Sequence, residues 1–199
     1  MIELLTVCTG NVARSPLAEA LLRARLPTDG IHIASAGTRA LVGRGMTDEA
    51  LALVSAHEGD VSGAEAHRAR LVTERLLTEP HVVLAMAREH RRQVVELAPA
   101  RLRTTFTVRE FARLAAHVPD AALRETLAAH DDPIERLRQA LMLVTAARGI
   151  APPPTEPEDD DVVDPFRRSE RTYARAAAQL VPAVDVVARV LRVVMEPSP

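Results

Sequence analysis

Four apolar runs in this chain, IELLTV (Ile2 to Val7), IHIAS (Ile31 to Ser35), HVVLAM (His81 to Met86) and TTFTV (Thr104 to Val108), have the length of buried strands and are too short for helices. The segments between them carry apolar residues at helical spacing, as in Leu17, Leu21, Leu22 and Leu26, then Met46, Ala50, Leu51 and Val54. Strands that alternate with helices imply a parallel sheet with helices on both faces. The expected fold is therefore α/β, a doubly wound four-stranded parallel sheet.

After REFARL (Arg109 to Leu114) the alternation stops. Two further helical segments follow, about 120–130 and 133–148, and the second places Ile134, Leu137, Leu141 and Val144 on one stripe. APPPTEPEDDD (Ala151 to Asp161) is stiff with proline and then acidic, the composition of a loop or linker. A last helical segment carries Asp185, Arg189 and Arg192 on a polar stripe, with Pro182 as an expected kink or break. Residues 1–199 read as a single domain with a helical and Pro/acidic insertion at about 115–161, and 47% hydrophobic residues suffice for an unaided core.

The only cysteine, Cys8, follows the first strand, and Ser15-Pro16 offers a hydroxyl N-cap and an early helical proline for the helix that comes next. Cys8 thus falls in a strand-to-helix loop at the carboxyl edge of the sheet, where open α/β folds bind ligands. Between Cys8 and Arg14 lie Thr9, Gly10, Asn11, Val12 and Ala13. Gly10 can take positive φ and Asn11 tolerates it, so successive N–H groups can turn inward around an anion. The helix N-terminus adds partial positive charge, and Arg14 can offer a bidentate fork to a phosphate-like oxyanion. Helix N-termini and adjacent arginines also favour thiolate over thiol, which would make Cys8 a nucleophile rather than a small buried hydrophobe.

Other functions find less support. One cysteine and scattered histidines, without HExxH or CxxC, give no metal-site pattern, so no metal or cofactor is expected. No apolar run approaches the ~18 residues of a membrane helix, and a formal net charge of -2 gives no reason to expect nucleic acid or an anionic membrane as partner. A cytoplasmic enzyme is the expectation.

The string CTGNVARSP (Cys8 to Pro16) resembles the phosphate-binding loop of the low-molecular-weight protein tyrosine phosphatases, C-x-G-N-x-x-R-S-P near the N-terminus. DPF (Asp164 to Phe166) resembles the Asp-Pro-aromatic motif that this family carries near its C-terminus. SAGT (Ser35 to Thr38), VLAMAREHRRQVVEL (Val83 to Leu97) and FTVREF (Phe106 to Phe111) also sit where the family has similar segments, so the resemblance spans roughly 1–114 and 162 onward. It implies the phosphotyrosine protein phosphatase I-like, flavodoxin-like fold. It further implies Cys8 as nucleophile, Arg14 as phosphate ligand and transition-state stabiliser, Ser15 as hydrogen-bond partner of the thiolate, and Asn11 as loop brace. Asp164 would be the general acid and then the base in hydrolysis of a phosphocysteine. Ser35 and His67 would support the loop, His67 through the asparagine. A rival Asp-Pro at Asp132-Pro133 has no aromatic after it.

Where the chain departs from the family pattern, substrate choice is affected. Ala13 replaces a second cysteine found in many members, so an oxidised Cys8 has no internal disulfide to shelter it. Val12 stands where related arginine phosphatases carry threonine, which leans toward an aryl phosphate. Only Phe166, with Leu41 and Val42 from the loop after SAGT, is expected to line the substrate pocket. Leu41 resembles the aliphatic residue of bacterial members linked to polysaccharide regulation, which points to a phosphorylated protein substrate, a tyrosine kinase of polysaccharide biosynthesis. Two alternatives remain open: an arsenate reductase using an external small thiol, and a non-catalytic phosphate-binding module.

Overall fold

The computed structural model describes residues 1–197. Four strands, β1 (Ile2–Cys8), β2 (Ile31–Gly37), β3 (Val82–Ala85) and β4 (Thr105–Thr107), form one parallel sheet in the order β2-β1-β3-β4. Each parallel step needs a crossover, and helices supply it: α1 (Arg14–Arg25) between β1 and β2, then α2 (Asp48–Ala56) and α3 (Val61–Ala66) before β3, and α4 (Arg88–Leu97) before β4. The strand order reverses direction at β1, so the crevice between the carboxyl ends of β1 and β3 is the topological switch point.

Period-two alternation divides the sheet between two cores. Ile2, Leu4, Cys8, Ile33, Val82, Leu84 and Phe106 face the larger one, shared with α1. Leu5, Val7, Ala34, Ala36 and Val83 face a smaller one, closed by Val94 of α4 and by Val72 and Leu77.

Beyond β4 come α5 (Val108–Ala115), α6 (Asp120–Leu127), α7 (Pro133–Ala146) and α8 (Glu170–Met195). A capping box, in which Thr107 Oγ1 accepts from Glu110 N and Glu110 reaches back to Thr107 N, starts α5 directly from the end of β4. Of the kink or break expected at Pro182, the break does not occur: α8 is continuous through it, with Ala176, Leu180, Val184, Val187 and Leu191 buried along one face. Burial of that stripe offsets the backbone hydrogen bond that proline cannot make.

Arg136 on α7 is buried inside this layer. It donates to the carbonyls of Val193 and Val194 at 3.0 and 2.8 Å and to Leu127 at 3.0 Å, adding a charged donor to the last carbonyls of α8 and α6. The polar stripe of α8 is spent in the same way, Asp185 on Arg25 and Arg189 on Asp120.

The Pro-rich acidic segment is a strap rather than a free linker. It forms a short 3-10 turn (Pro157–Asp160), and Asp160 takes two hydrogen bonds from Arg113 of α5, at 3.1 and 2.8 Å. Asp161 then docks on the start of α4, and Val162 N donates to Met86 O at 2.8 Å, which brings the chain back to the switch point.

Candidate active site

The loop after β1 is shaped by where its carbonyls go. Those of Cys8, Thr9, Gly10 and Val12 accept from Thr38, Arg39, Leu41 and Thr47, that of Ala13 from Leu17, and that of Asn11 from His67 Nε2 at 2.8 Å. In a trans peptide the following N–H points the opposite way, so the N–H groups from Thr9 to Arg14 are turned toward the concave side. This is the nest that the sequence suggests, with one difference: Asn11, at φ 55°, takes the left-handed conformation, while Gly10 keeps negative φ. Asn11 is held there by a full set of partners. Its Nδ2 donates to Ser15 Oγ at 3.1 Å and Ser35 Oγ at 2.8 Å, and its Oδ1 accepts from Arg70 N at 2.9 Å.

Cys8 Sγ lies at the floor of the nest, 2.9 Å from Ser15 Oγ and 3.3 Å from Asn11 N. Ser15 does not cap α1, contrary to the reading of Ser15-Pro16: the helix begins at Arg14, its N-cap is Ala13, and no side chain caps it. Ser15 is inside the first turn and its hydroxyl is turned to the sulfur instead. A thiolate there accepts from Ser15 and Asn11 at the positive end of a helix.

Arg14, only 5% exposed, reaches over the nest. Nη1 donates to Val162 O at 3.0 Å, Nη2 donates to Thr9 Oγ1 at 3.4 Å, and Nη2 meets Asp164 Oδ2 at 3.0 Å. Asp164 also accepts from Phe166 N at 3.2 Å, a local turn that leaves its side chain 53% exposed at the cavity wall. The cavity, about 190 Å³, is lined by Cys8, Arg14, Asp164, Leu41 and Phe166 together with the loop and Arg39.

Of the expected pocket residues, Leu41 and Phe166 line the cavity and Val42 does not: it is 69% exposed outside it. The turn at Leu41 to Arg44 carries Val42 to solvent once Leu41 N is tied to Gly10 O. Ser35 and His67 both touch Asn11. Asp132 caps α7 by accepting from Glu135 N at 3.1 Å and takes no part in the cavity. Among the described residues no group of three or more His, Cys, Asp or Glu could hold a metal ion, and no helix is long and apolar enough to cross a membrane.

Three contributors escape the sequence reading. Gly37 ends β2 against the loop, where a Cβ would lie 2.5 Å from Thr9 O. His90 of α4 sits 2.8 Å from Thr9 Oγ1, with its proton affinity lowered to a pKa of about 4 by burial and then by the Arg14 charge. Arg39 stands at the rim, 3.5 Å from Glu89.

The same arrangement of chain is found in known proteins. The model of the low molecular weight phosphotyrosine protein phosphatase family matches residues 3–147, ending before Asp164. The low molecular weight protein-tyrosine-phosphatase Wzb of Salmonella typhi is 40% identical over 97 residues, 49% of this chain and 62% of that protein, so the chain spans less than two thirds of this relative's length. The probable low molecular weight protein-tyrosine-phosphatase EpsP of Ralstonia nicotianae is 30% identical over 138 residues, 69% of this chain and 90% of that protein. Among solved structures, the YwlE arginine phosphatase from Geobacillus stearothermophilus superposes with a TM-score of 0.66 at 25% identity, covering 96% of this chain and 94% of that one. Vibrio vulnificus Wzb in complex with benzylphosphonate gives 0.64 at 20% identity, covering 94% and 97%. With the family pattern running through the nest, the sheet and the helices after it, the chain belongs to the low molecular weight phosphotyrosine protein phosphatase family.

Proposed function

We propose that the chain is a phosphomonoesterase that hydrolyses phosphotyrosine in a protein substrate through a phosphocysteine. The observation that carries this reading is the meeting of Cys8, Arg14 and Asp164 around one cavity, from loops at opposite ends of the chain.

Phosphate oxygens enter the nest, accept from its N–H groups and take the Arg14 fork. The phosphate oxygens compete with Asp164 for Arg14 and free its carboxyl to face the leaving group. Cys8 Sγ attacks phosphorus, the P–O bond to the leaving group breaks, and Asp164 gives that oxygen its proton. In the second half Asp164, now a carboxylate, takes a proton from water as the water oxygen attacks phosphorus. The P–S bond breaks, phosphate leaves, and the thiolate is restored to its Ser15 and Asn11 donors. The chain's own groups handle every charge in this sequence.

Val12, Leu41 and Phe166 give the cavity an apolar wall without a hydroxyl from position 12, which suits an aryl group better than a guanidinium. The family's name and the relatives' names agree with a tyrosyl substrate. A tyrosine kinase of polysaccharide biosynthesis is the protein substrate that Leu41 suggests.

Hydrolysis of an aryl phosphate in the presence of a chelator tests the reading, with wild type, Cys8→Ser and Asp164→Asn. Turnover that survives chelation, vanishes in Cys8→Ser and is impaired in Asp164→Asn supports it. Faster hydrolysis of phosphoarginine than of phosphotyrosine peptides would reassign the substrate. Thiol-dependent arsenate reduction without phosphate hydrolysis would reassign the reaction.

A further inference from the structure

The three partners of Arg14 differ in how they are held. Asp164 is on a half-exposed turn, whereas Thr9 and Asp161, the residue before Val162, are each gripped by the first turn of α4. On one side His90 Nε2 sits 2.8 Å from Thr9 Oγ1, the atom that accepts from Arg14 Nη2. On the other, Asp161 Oδ1 accepts from Arg88 N at 2.7 Å, and both Asp161 oxygens take the Arg88 side chain at 3.2 to 3.3 Å. Arg109 Nη1 fixes Asp161 O at 2.9 Å. The next residue is Val162, whose N–H is on Met86 O and whose carbonyl accepts from Arg14 Nη1.

We propose that His90 and Asp161 are positioning residues that lock the Arg14 guanidinium in its phosphate-binding orientation, one through the Thr9 hydroxyl and the other through the Val162 carbonyl. This rests on the reading of Arg14 as the phosphate ligand. A buried guanidinium needs fixed acceptors, and a fork must be aimed before phosphate arrives if binding is not to cost its ordering. His90 Nδ1 is buried without a hydrogen-bond partner. The Nε2–H tautomer makes that atom a lone pair rather than an unmet donor, and His90 then donates to Thr9 Oγ1. With both lone pairs of Thr9 Oγ1 engaged, by His90 and Arg14, its own hydrogen is left to point at a phosphate oxygen. His90 is held neutral by burial and by Arg14, so it adds no second cation beside the fork.

The test is inorganic phosphate affinity by calorimetry, with kcat and KM for an aryl phosphate, in wild type, His90→Ala, His90→Gln, Asp161→Ala and Asp161→Asn. His90→Ala and Asp161→Ala should each weaken phosphate binding by about tenfold and lower kcat, the size expected for hydrogen bonds that serve a charged group. His90→Gln, whose amide can donate to Thr9, should recover most of the loss. In an Arg14→Lys background, which has no fork to aim, His90→Ala should change phosphate affinity less than about twofold. Wild-type phosphate affinity and kcat in both alanine variants would overturn the proposal, as would an undiminished His90→Ala loss in the Arg14→Lys background. If an alanine variant does not fold, His90→Gln and Asp161→Asn decide. Near-wild-type values for the first with several-fold weaker phosphate binding for the second support the proposal, and unchanged binding in Asp161→Asn overturns it. A wild type that binds phosphate without hydrolysing aryl phosphate would undo the phosphatase reading alone, since the binding arm needs no turnover.

Discussion

Arg14 and Asp164 stand 3.0 Å apart, a buried guanidinium from the first loop of the chain against a half-exposed carboxylate from the loop before its last helix. Of the two Asp-Pro sequences, the one at Asp164 meets Arg14, while Asp132 is occupied at the start of α7.

Asp164→Asn should lower kcat for an aryl phosphate by about 10²- to 10⁴-fold, and least for substrates with good leaving groups, which need little protonation. Asp132→Asn should leave kcat unchanged and lower stability by no more than about 1 kcal/mol, the worth of a helix cap. Steady-state kinetics across leaving groups and thermal unfolding check the pair.

Ser15→Ala removes the hydroxyl at 2.9 Å from Cys8 Sγ. Alkylation of Cys8 by iodoacetamide should slow by about tenfold, because a cysteine reacts as its thiolate and that form loses a hydrogen-bond donor. The thermal midpoint should move little in comparison.

Gly37→Ala should destabilise the protein by about 1 to 3 kcal/mol and cost activity, because the new methyl group meets Thr9 O and the backbone of Asn11 rather than a side chain that can swing away. Chemical denaturation and turnover measured on the same preparation would show both effects.

His90 predicts a pH dependence of stability. Its folded pKa of about 4 lies below the ordinary value of ~6.5, so the unfolded chain binds the extra proton between these limits. Stability from this group is complete above about pH 6.5 and is lost as pH falls toward 4, up to about 3 kcal/mol. Arg14 and Arg39 push the affinity down with burial, and Asp164 opposes them. His90→Gln should flatten the slope of unfolding free energy over this window.

The strands, their parallel arrangement and the nest were legible because each is written locally: a buried strand needs an apolar run, and a phosphate nest needs small residues between a nucleophile and a helix start. Positions that depend on strand order were not. His90 falls in a polar stretch of α4 with no local sign of burial; it becomes buried because β3 lies next to β1 and brings α4 over Thr9. Gly37 looks like any strand-end glycine until the nest packs on it. Pro182 reads as a kink or break because local rules assign it one, and the buried face of α8 keeps the helix continuous. Arg136 carries no local sign that its charge will end among the last carbonyls of two other helices.

The ion pair between Arg113 and Asp160 joins two points 47 residues apart. It closes a stretch of chain that holds α6 and α7, which pack on α8 and bury Leu123, Leu127, Leu137 and Val144 in the main core. Chain added to or removed from the turns of such a closed stretch costs little closure entropy and does not shift what its two ends are fixed to. Asp160 is followed at once by Asp161 and Val162, the first on Arg88 and the second on Arg14, so changes of length in the exposed turns on either side of α7 leave the surroundings of Arg14 as they are.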